Sequence, residues 1–412
     1  MADAISITNS LTYNAYYLRT LNDLSFDFGT IYAGNSAVVV RCCEPHSSTP
    51  LLLKCYYRPI NNGKAIYGDR YKPKELGVIS LTGYTEFIDV VLLPWVEGVA
   101  LDQIVGTPAV DYNKLSTRFD ATALQLLNRD YAHGDIKPDN IIIDPSSYNI
   151  TLVDWDAAWI EGFTDEDMEE CGTAIFSHPR RCDMPFNKHI DDFSIAIMST
   201  MLAALAADRE FFEPQLSSEC SLFYPTDAIS SNDALLNHAI KLFGRVNDAV
   251  HYRIASSIIG CQGPIHHLAE WLNAAAYPKK QRIASGTISR LGSSWGIKER
   301  GQWVIPPLYD YIDTGDEAIH LHLANYCHTI KGSVAKPLSL RDTLLSEMSN
   351  PKSWTTLEEE RMLMWYCDAV SVDAIAKALS RSPQAVRARL NKIIRKDDRP
   401  RIEHIRERVK FR

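Results

Sequence analysis

Residues 131–156 read YAHGDIKPDNIIIDPSSYNITLVDWD, and they decide the fold. A helical pattern that begins near Tyr112 runs out just before Tyr131, and Gly134 and Pro138 punctuate the next residues as a loop. The runs "IIID" and "ITLVD" flank "PSSYN", which is a hairpin signal. Strand, turn and strand then set Asn140 and Asp154 near one another at the mouth of the loop. Two oxygen donors so placed suit Mg²⁺, which takes few protein ligands and completes its shell with phosphate oxygens and water. Asp135 is placed to orient a hydroxyl and accept its proton, and Lys137 to offset charge on a moving phosphoryl group. The plainer alternative is a polar surface loop.

The stretch resembles the catalytic and metal-binding loops of the protein-kinase superfamily, H-x-D-x-K-x-x-N followed by the Asp of D-F-G. Here they stand as His133-Gly134-Asp135-Ile136-Lys137-Pro138-Asp139-Asn140 and Asp154-Trp155-Asp156. The resemblance covers about residues 10–277 and implies an α+β, bilobal fold that uses ATP and Mg²⁺. In it Asp135 and Lys137 are catalytic, and Asn140 and Asp154 hold the metal. Lys54, on the apolar run "TPLLLKCYYRP", resembles the ATP-binding Lys. Its partner is expected from a third-helix region at "RYKPKELGVIS": Glu75, with Asp69 as the rival and Pro73 in the first turn. Leu93 takes the gatekeeper place, with Pro94, Trp95 and Val96 as the hinge along the adenine edge. In "FGTIYAGNSAVVVRC", Gly34 stands as the middle glycine of the phosphate-covering loop and Val39 over the adenine. Tyr32 and Ala37 occupy the outer glycine positions, so this loop departs from the family's pattern.

Further departures lie downstream. Gly134 replaces the Arg of H-R-D, which argues against control by a phosphate on the activation segment. "ECGTAIFSHPRR" resembles the end of that segment, with Arg180 where the family has the Glu of A-P-E. Asp191, at the head of "HIDDFSIAIMSTMLAAL", is expected to hold the catalytic-loop backbone; a helix cap is a compatible role.

Composition sets the outer limits. With 412 residues, two or three domains are expected. Hydrophobic residues make up 46% and charged residues 23%, as in soluble globular proteins. The sequence carries no apolar run of about 18 residues, so no membrane span is expected. Its first residues lack the layout of a signal peptide. Nine Cys without a C-x-x-C pair read as reduced, mostly buried thiols of a cytoplasmic protein. From Pro351 to Arg412 there are 15 Lys and Arg against 9 Asp and Glu, net +6, so the preceding 350 residues hold −14 of the chain's −8. Any nucleic-acid contact is therefore expected at the C-terminal end.

Two segments lie beyond the kinase-like part. "SSWGIKERGQWVIPPLYDYI", ending at Ile312, predicts a hairpin across "KERG" and resembles a single WG repeat, an interaction or spacer element. It is expected to pack on the helical lobe or to pair with "AIHLHLANYCHTI". "KGSVAKPLSL" reads as a linker, with "RDTLLSEM" helical behind it. From Trp354 three short helical patterns end in a basic one and resemble a Myb/SANT- or sigma-factor-like helix-turn-helix. On its last helix Gln384, Arg387, Arg389, Lys392 and Arg395 are the candidates for a DNA groove, the alternative being a solvated face of a protein-binding bundle.

The expected organisation is thus an N-lobe at 1–98, a C-lobe at 99–280, a WG-like β segment at 281–332, a linker at 333–353 and an all-α three-helix domain at 354–412. The function it implies is a cytoplasmic, signalling serine/threonine kinase with a protein substrate. Two alternatives stay open: a small-molecule kinase, and a pseudokinase or nucleotide-sensing scaffold on a DNA-binding regulator.

Overall fold

Six antiparallel strands form the first layer: β1 (Tyr16–Leu18), β2 (Ser25–Ala33), β3 (Ala37–Cys43), β4 (Pro50–Tyr56), β5 (Tyr71–Ile79) and β6 (Thr85–Pro94). Their order across the sheet is β1-β5-β6-β4-β3-β2. The computed structural model describes residues 2–395 apart from 15, 80–82, 276–281, 284–285, 316, 333, 335–353, 355, 368–369 and 380. The linker apart from Val334, the helical pattern "RDTLLSEM" and the tail from 396 onward lie outside the described residues. Two compact units divide between Ala335 and Lys336. The fold is α+β.

A helix at Ala4–Thr12 covers the sheet. Asp3 and Ser6 close a reciprocal capping box at its start, satisfying donors that have no partner inside the helix. Its Ile7 and Leu11 are fully buried with Val38, Val40, Leu53, Leu76 and Val90 of the strands. β-branched residues at alternate positions of β3 point into this core, as a half-buried strand requires.

The segment expected to form a third helix is a strand. "YKPKELGVI" is β5, paired with β1 and β6, with an irregularity in register between Lys72 and Leu76. Pro73 supplies no N–H, and Lys74 takes a φ of 49°, which no helix tolerates. The Lys74 N–H is held by Asp89 Oδ1 at 2.8 Å. In place of a long helix, a short one at Gly63–Tyr67 bridges β4 and β5.

The helical part packs around Asp192–Ala207, apolar on all sides and almost wholly buried. Helices Tyr112–Leu127, Ala234–Arg245 and Ala249–Ile258 surround it. The WG-like stretch forms the expected hairpin: Ser294–Glu299 pairs with Gln302–Tyr309. Arg300 and Gly301 both take positive φ, the signature of a two-residue type I′ turn. The hairpin and a four-stranded sheet, which contains Ala318–Leu323, share the core of the helices. Arg253 fastens it by donating to Leu308 O at 2.7 and 2.9 Å.

In the second unit, helices Thr356–Cys367, Val372–Ala378 and Pro383–Arg395 enclose Met362, Leu363, Ile375, Val386, Leu390 and Ile393. Among the described residues no helix is long and apolar enough to cross a membrane.

Candidate active site

The loop at 133–140 is built before its functional groups are placed. Strand Ile141–Ile143 pairs with Ile150–Leu152, and Val153 N–H donates to Asn140 O at 3.0 Å, so the hairpin sets Asn140 beside Asp154. Asp144 closes the turn by accepting from the hydroxyls of Ser146 and Ser147, both at 2.7 Å. Those bonds hold its pKa down at about 2. Asp191, at the head of Asp192–Ala207, accepts the backbone N–H groups of His133 and Gly134 at 2.5 and 2.8 Å. Burial raises the Asp191 pKa, and these two donors act against that shift. His133 is fully buried, its Nε2 lying 2.8 Å from Val153 O and its ring against Trp155. The His thus ties this loop to the segment that carries Asp154.

Above this loop a cleft of about 1200 Å³ is lined by β2, β3, β4, the end of β6 and the loop itself. Lys54, Asp135, Lys137, Asn140 and Asp154 all reach it, as do Gly34, Val39, Leu93, Trp95 and Val96. Asp135 Oδ1 accepts the Thr173 N–H at 2.6 Å. Asn140 Nδ2 donates to Asp135 O at 2.8 Å and to its Oδ2 at 3.1 Å. Lys137 lies 3.5 Å from Asp135 Oδ2 and 3.2 Å from Asp139. Burial lowers the Lys137 pKa, but Asp135 and Asp139 outweigh it and leave the pKa raised, so the ammonium stays charged.

Trp95 N–H donates to Pro50 O at 3.0 Å, which continues the β4–β6 ladder. Groups along an antiparallel strand alternate in direction, so the C=O of Pro94 turns away from β4. Gly34 caps the β2–β3 turn by donating to Ala37 O at 2.9 Å. A Cβ at Gly34 would meet nothing closer than 3.5 Å, so this glycine is not sterically required.

Lys54 does not meet Glu75. The Glu75 side chain is buried at β1, where it accepts from Thr20 N–H, Thr20 Oγ1 and Leu21 N–H at 2.5, 2.9 and 2.9 Å. A strand in place of the expected helix carries it there. Asp69 is exposed and pairs with Lys64. Instead Lys54 Nζ is bonded to Asp154 Oδ1 and lies 2.6 Å from Asp156 Oδ2. Burial alone would lower the Lys54 pKa; the two carboxylates reverse that and leave it raised. Asp154 itself takes a φ of 67°, a left-handed conformation that a non-glycine residue holds only under constraint.

Several groups at the site were not singled out from sequence. Asp156 holds Lys54 and is itself held by Tyr56 and Tyr67, whose hydroxyls donate to Oδ1 at 2.8 and 2.5 Å. Burial, above all, pushes both phenols up, so they remain protonated donors. Glu170 faces the same cleft, its pKa raised by burial and then by Asp156, Asp154 and Asp135. The signal for Asp156 was in the sequence: an acid stands where D-F-G has its glycine.

The thiols are not all reduced. Cys171 is joined to Cys182, directly before the Gly172-Thr173 pair that meets Asp135, which corrects the reading drawn from cysteine spacing. In the second unit Arg389 is bonded to Glu359 and is not a free cation on the basic helix. Gln384, Arg387 and Lys392 are exposed, Arg387 standing 4.0 Å from Asp373, while the side chain of Arg395 lies outside the described residues.

Mg²⁺ fits the donors present. The Asn140 amide is oriented by Asp135 through its nitrogen, and among the described residues its Oδ1 takes no donor, in the cleft that Asp154 also lines. Among the described residues no three His, Cys, Asp or Glu converge as a metal group, and two oxygen ligands plus phosphate are what Mg²⁺ ordinarily takes.

No protein-family model matches the chain, and no curated protein is similar to it in sequence. Among solved structures it is similar to the Cydia pomonella granulovirus kinase PK-1, with a TM-score of 0.33 and 12% identity. The match covers 48% of this chain and 75% of that one. A likeness of that size decides nothing about what this chain does.

Proposed function

We propose that the chain is an ATP- and Mg²⁺-dependent phosphotransferase, and that its acceptor is a serine or threonine hydroxyl of a protein. The reading rests on one observation: Lys54, Asp135, Asn140 and Asp154 line a single cleft, though 100 positions separate Lys54 from Asp154. When bound, Mg²⁺ would be held by Asn140 and Asp154 and would offset phosphate charge. The remaining work falls to the chain. Lys54 grips the α- and β-phosphates, and Lys137 offsets charge on the phosphoryl group that moves. Asp135, its Oδ1 fixed by Thr173, orients the acceptor hydroxyl through Oδ2 and takes its proton late in the transfer. Val39, Leu52, Leu93 and Leu152 offer apolar contact to the base, and the backbone at Pro94 and Val96 meets its polar edge.

The protein acceptor is argued from Lys137-Pro138 and from the segment Gly172–Pro179, which begins beside Asp135. The second unit is read as a DNA-contacting arm that acts through Gln384, Arg387 and Lys392, and the protein as cytoplasmic.

The test is transfer of labelled phosphate from Mg·ATP to the chain itself and to a generic basic protein. Wild type is expected to transfer, and Asp135→Asn to lose about 100-fold or more of the rate. Asp154→Ala is expected to abolish transfer while the fold is retained. Equal transfer by all three proteins would refute the assignment.

A further inference from the structure

We propose that Asp156 is the positioning residue for Lys54. Held in place by Tyr56 and Tyr67, it keeps the ammonium over the cleft and leaves Asp154 free to take a cation. The inference rests on the nucleotide-binding reading of the cleft.

Two carboxylates share Lys54, and they differ in every respect that matters. The Asp156 side chain is 13% exposed and that of Asp154 is 42% exposed. Both oxygens of Asp156 are engaged: Oδ2 on Lys54 at 2.6 Å, and Oδ1 on Tyr56 and Tyr67 at 2.8 and 2.5 Å. A carboxylate fixed by two hydroxyl donors in a partly buried site does not swing away from its cation without leaving those donors unpaired. Asp154 faces the cleft and has Lys54 as its only side-chain partner among the described residues.

A cation arriving at Asp154 repels the neighbouring ammonium, so Lys54 must keep a second anion if it is to stay at the site. Asp156 supplies it. The residue expected in that role, Glu75, is buried at β1 with its oxygens already used. The short helix Gly63–Tyr67 comes just before the stretch where a helix was expected, and it reaches the site through the Tyr67 hydroxyl instead of a carboxylate. Lys54 and Tyr56 come from the same strand, β4, so this strand and the Asp154-Trp155-Asp156 turn supply most of the device.

The experiment is calorimetric titration of the full chain with ATP, with and without Mg²⁺. It compares wild type, Asp156→Asn, Tyr67→Phe and Lys54→Met, and the two double variants that combine Lys54→Met with each of the others. Asp156→Asn is expected to weaken Mg·ATP about 10-fold and Tyr67→Phe about 3-fold. Mg²⁺ is expected to improve ATP affinity less in Asp156→Asn than in wild type, because Lys54 then stays on Asp154. In the Lys54→Met background both substitutions are expected to change affinity by less than about 2-fold, since their effect passes through the ammonium. A purely structural role would not vanish there.

Wild-type affinity in Asp156→Asn, or the same fold-loss with and without Lys54, overturns the proposal. Should Asp156→Asn not fold, Tyr67→Phe, which keeps every charge, carries the same comparison. A wild-type chain that binds no ATP removes the nucleotide reading and this inference together. A wild type that binds while Asp156→Asn matches it removes this inference alone.

Discussion

The carboxylate of Asp191 accepts the backbone N–H of Gly134 at 2.8 Å, joining the head of a buried helix to a loop 57 positions earlier in the chain. Its other oxygen takes the N–H of His133. One acid therefore satisfies two adjacent buried donors and fixes the backbone from which Asp135 projects. Asp191→Ala leaves both donors unpaired, and each such group costs about 1–3 kcal/mol. Chemical denaturation is expected to show a loss of roughly 3 kcal/mol. Transfer activity should fall even at temperatures where the variant is fully folded, because Asp135 is no longer aimed.

Gly134 is expected to tolerate no side chain. Its φ is 85°, and a Cβ there would lie 1.9 Å from the carbonyl oxygen of Ala157. The backbone of the Asp154–Ala158 turn occupies the space that the Arg of H-R-D would need. Gly134→Ala is therefore expected to displace the turn that carries Asp154 and Asp156, lowering both the melting temperature and nucleotide affinity. Normal values of both in the purified variant would show that the turn can yield.

His251 gives a pH dependence unrelated to the cleft. It lies between Asp120, 3.0 Å from Nε2, and Asp248, 2.6 Å from Nδ1, and Asp120 also accepts the Ser199 hydroxyl at 2.7 Å. Burial lowers its pKa, but the two carboxylates prevail and raise it to about 10. A pKa raised on folding means that the folded state binds the proton more tightly than the unfolded state. The contribution is thus fully present below the unfolded value of 6.5 and is lost as pH rises toward about 10. Urea unfolding at pH 6 and pH 10 is expected to differ by on the order of 4 kcal/mol more in wild type than in His251→Gln. Equal slopes would mean that the imidazole titrates normally.

The placement of the cleft was legible because its chemistry is local in sequence. His133 to Asn140, the hairpin behind them and Asp154 form one short stretch whose turns and β-branched runs announce themselves. Lys54 was legible because an apolar strand isolates it. The partner of Lys54 was not, because long-range pairing decides it. "YKPKELGVI" contains helix formers, and only pairing with β1 and β6, together with a positive φ at Lys74, makes it a strand. The bond between Cys171 and Cys182 was hidden for a related reason. Their spacing matches no known framework, and the fold of the segment brings their Cα atoms to 5.3 Å.

That bond predicts a redox effect on the site. Cys171 precedes Gly172 and Thr173, and Thr173 holds Asp135 Oδ1 at 2.6 Å. Opening the bond returns conformational freedom to the closed segment, a loss of about 2–3 kcal/mol for a loop of this size. Cys182→Ser is expected to melt lower than oxidised wild type and to match wild type held in reductant. Its transfer rate should fall while ATP affinity stays within about 2-fold. Identical melting with and without reductant would mean that the segment is held by its other contacts, such as His178 Nε2 with Cys261 O at 3.2 Å.

The basic helix of the second unit separates fold from binding. Arg389 is half-buried on Glu359, and Arg381 makes two bonds to Glu358 at 3.0 Å. Both join this part of the chain to the helix Thr356–Cys367. The Arg389–Glu359 bond joins a guanidinium to a buried carboxylate, so Arg389→Ala, which removes that charge-assisted bond, is expected to lower the stability of the unit by about 1–3 kcal/mol. Arg387 and Lys392 are exposed, and their removal should leave stability within about 0.5 kcal/mol. If the arm contacts DNA, Lys392→Ala weakens binding to all duplexes alike. It also lowers the slope of log affinity against log salt by about 1, the signature of one lost phosphate contact. Fluorescence anisotropy with a labelled duplex across a salt series measures both quantities. An unchanged slope in Arg387→Ala and in Lys392→Ala would assign the basic face to solvent or to a protein partner.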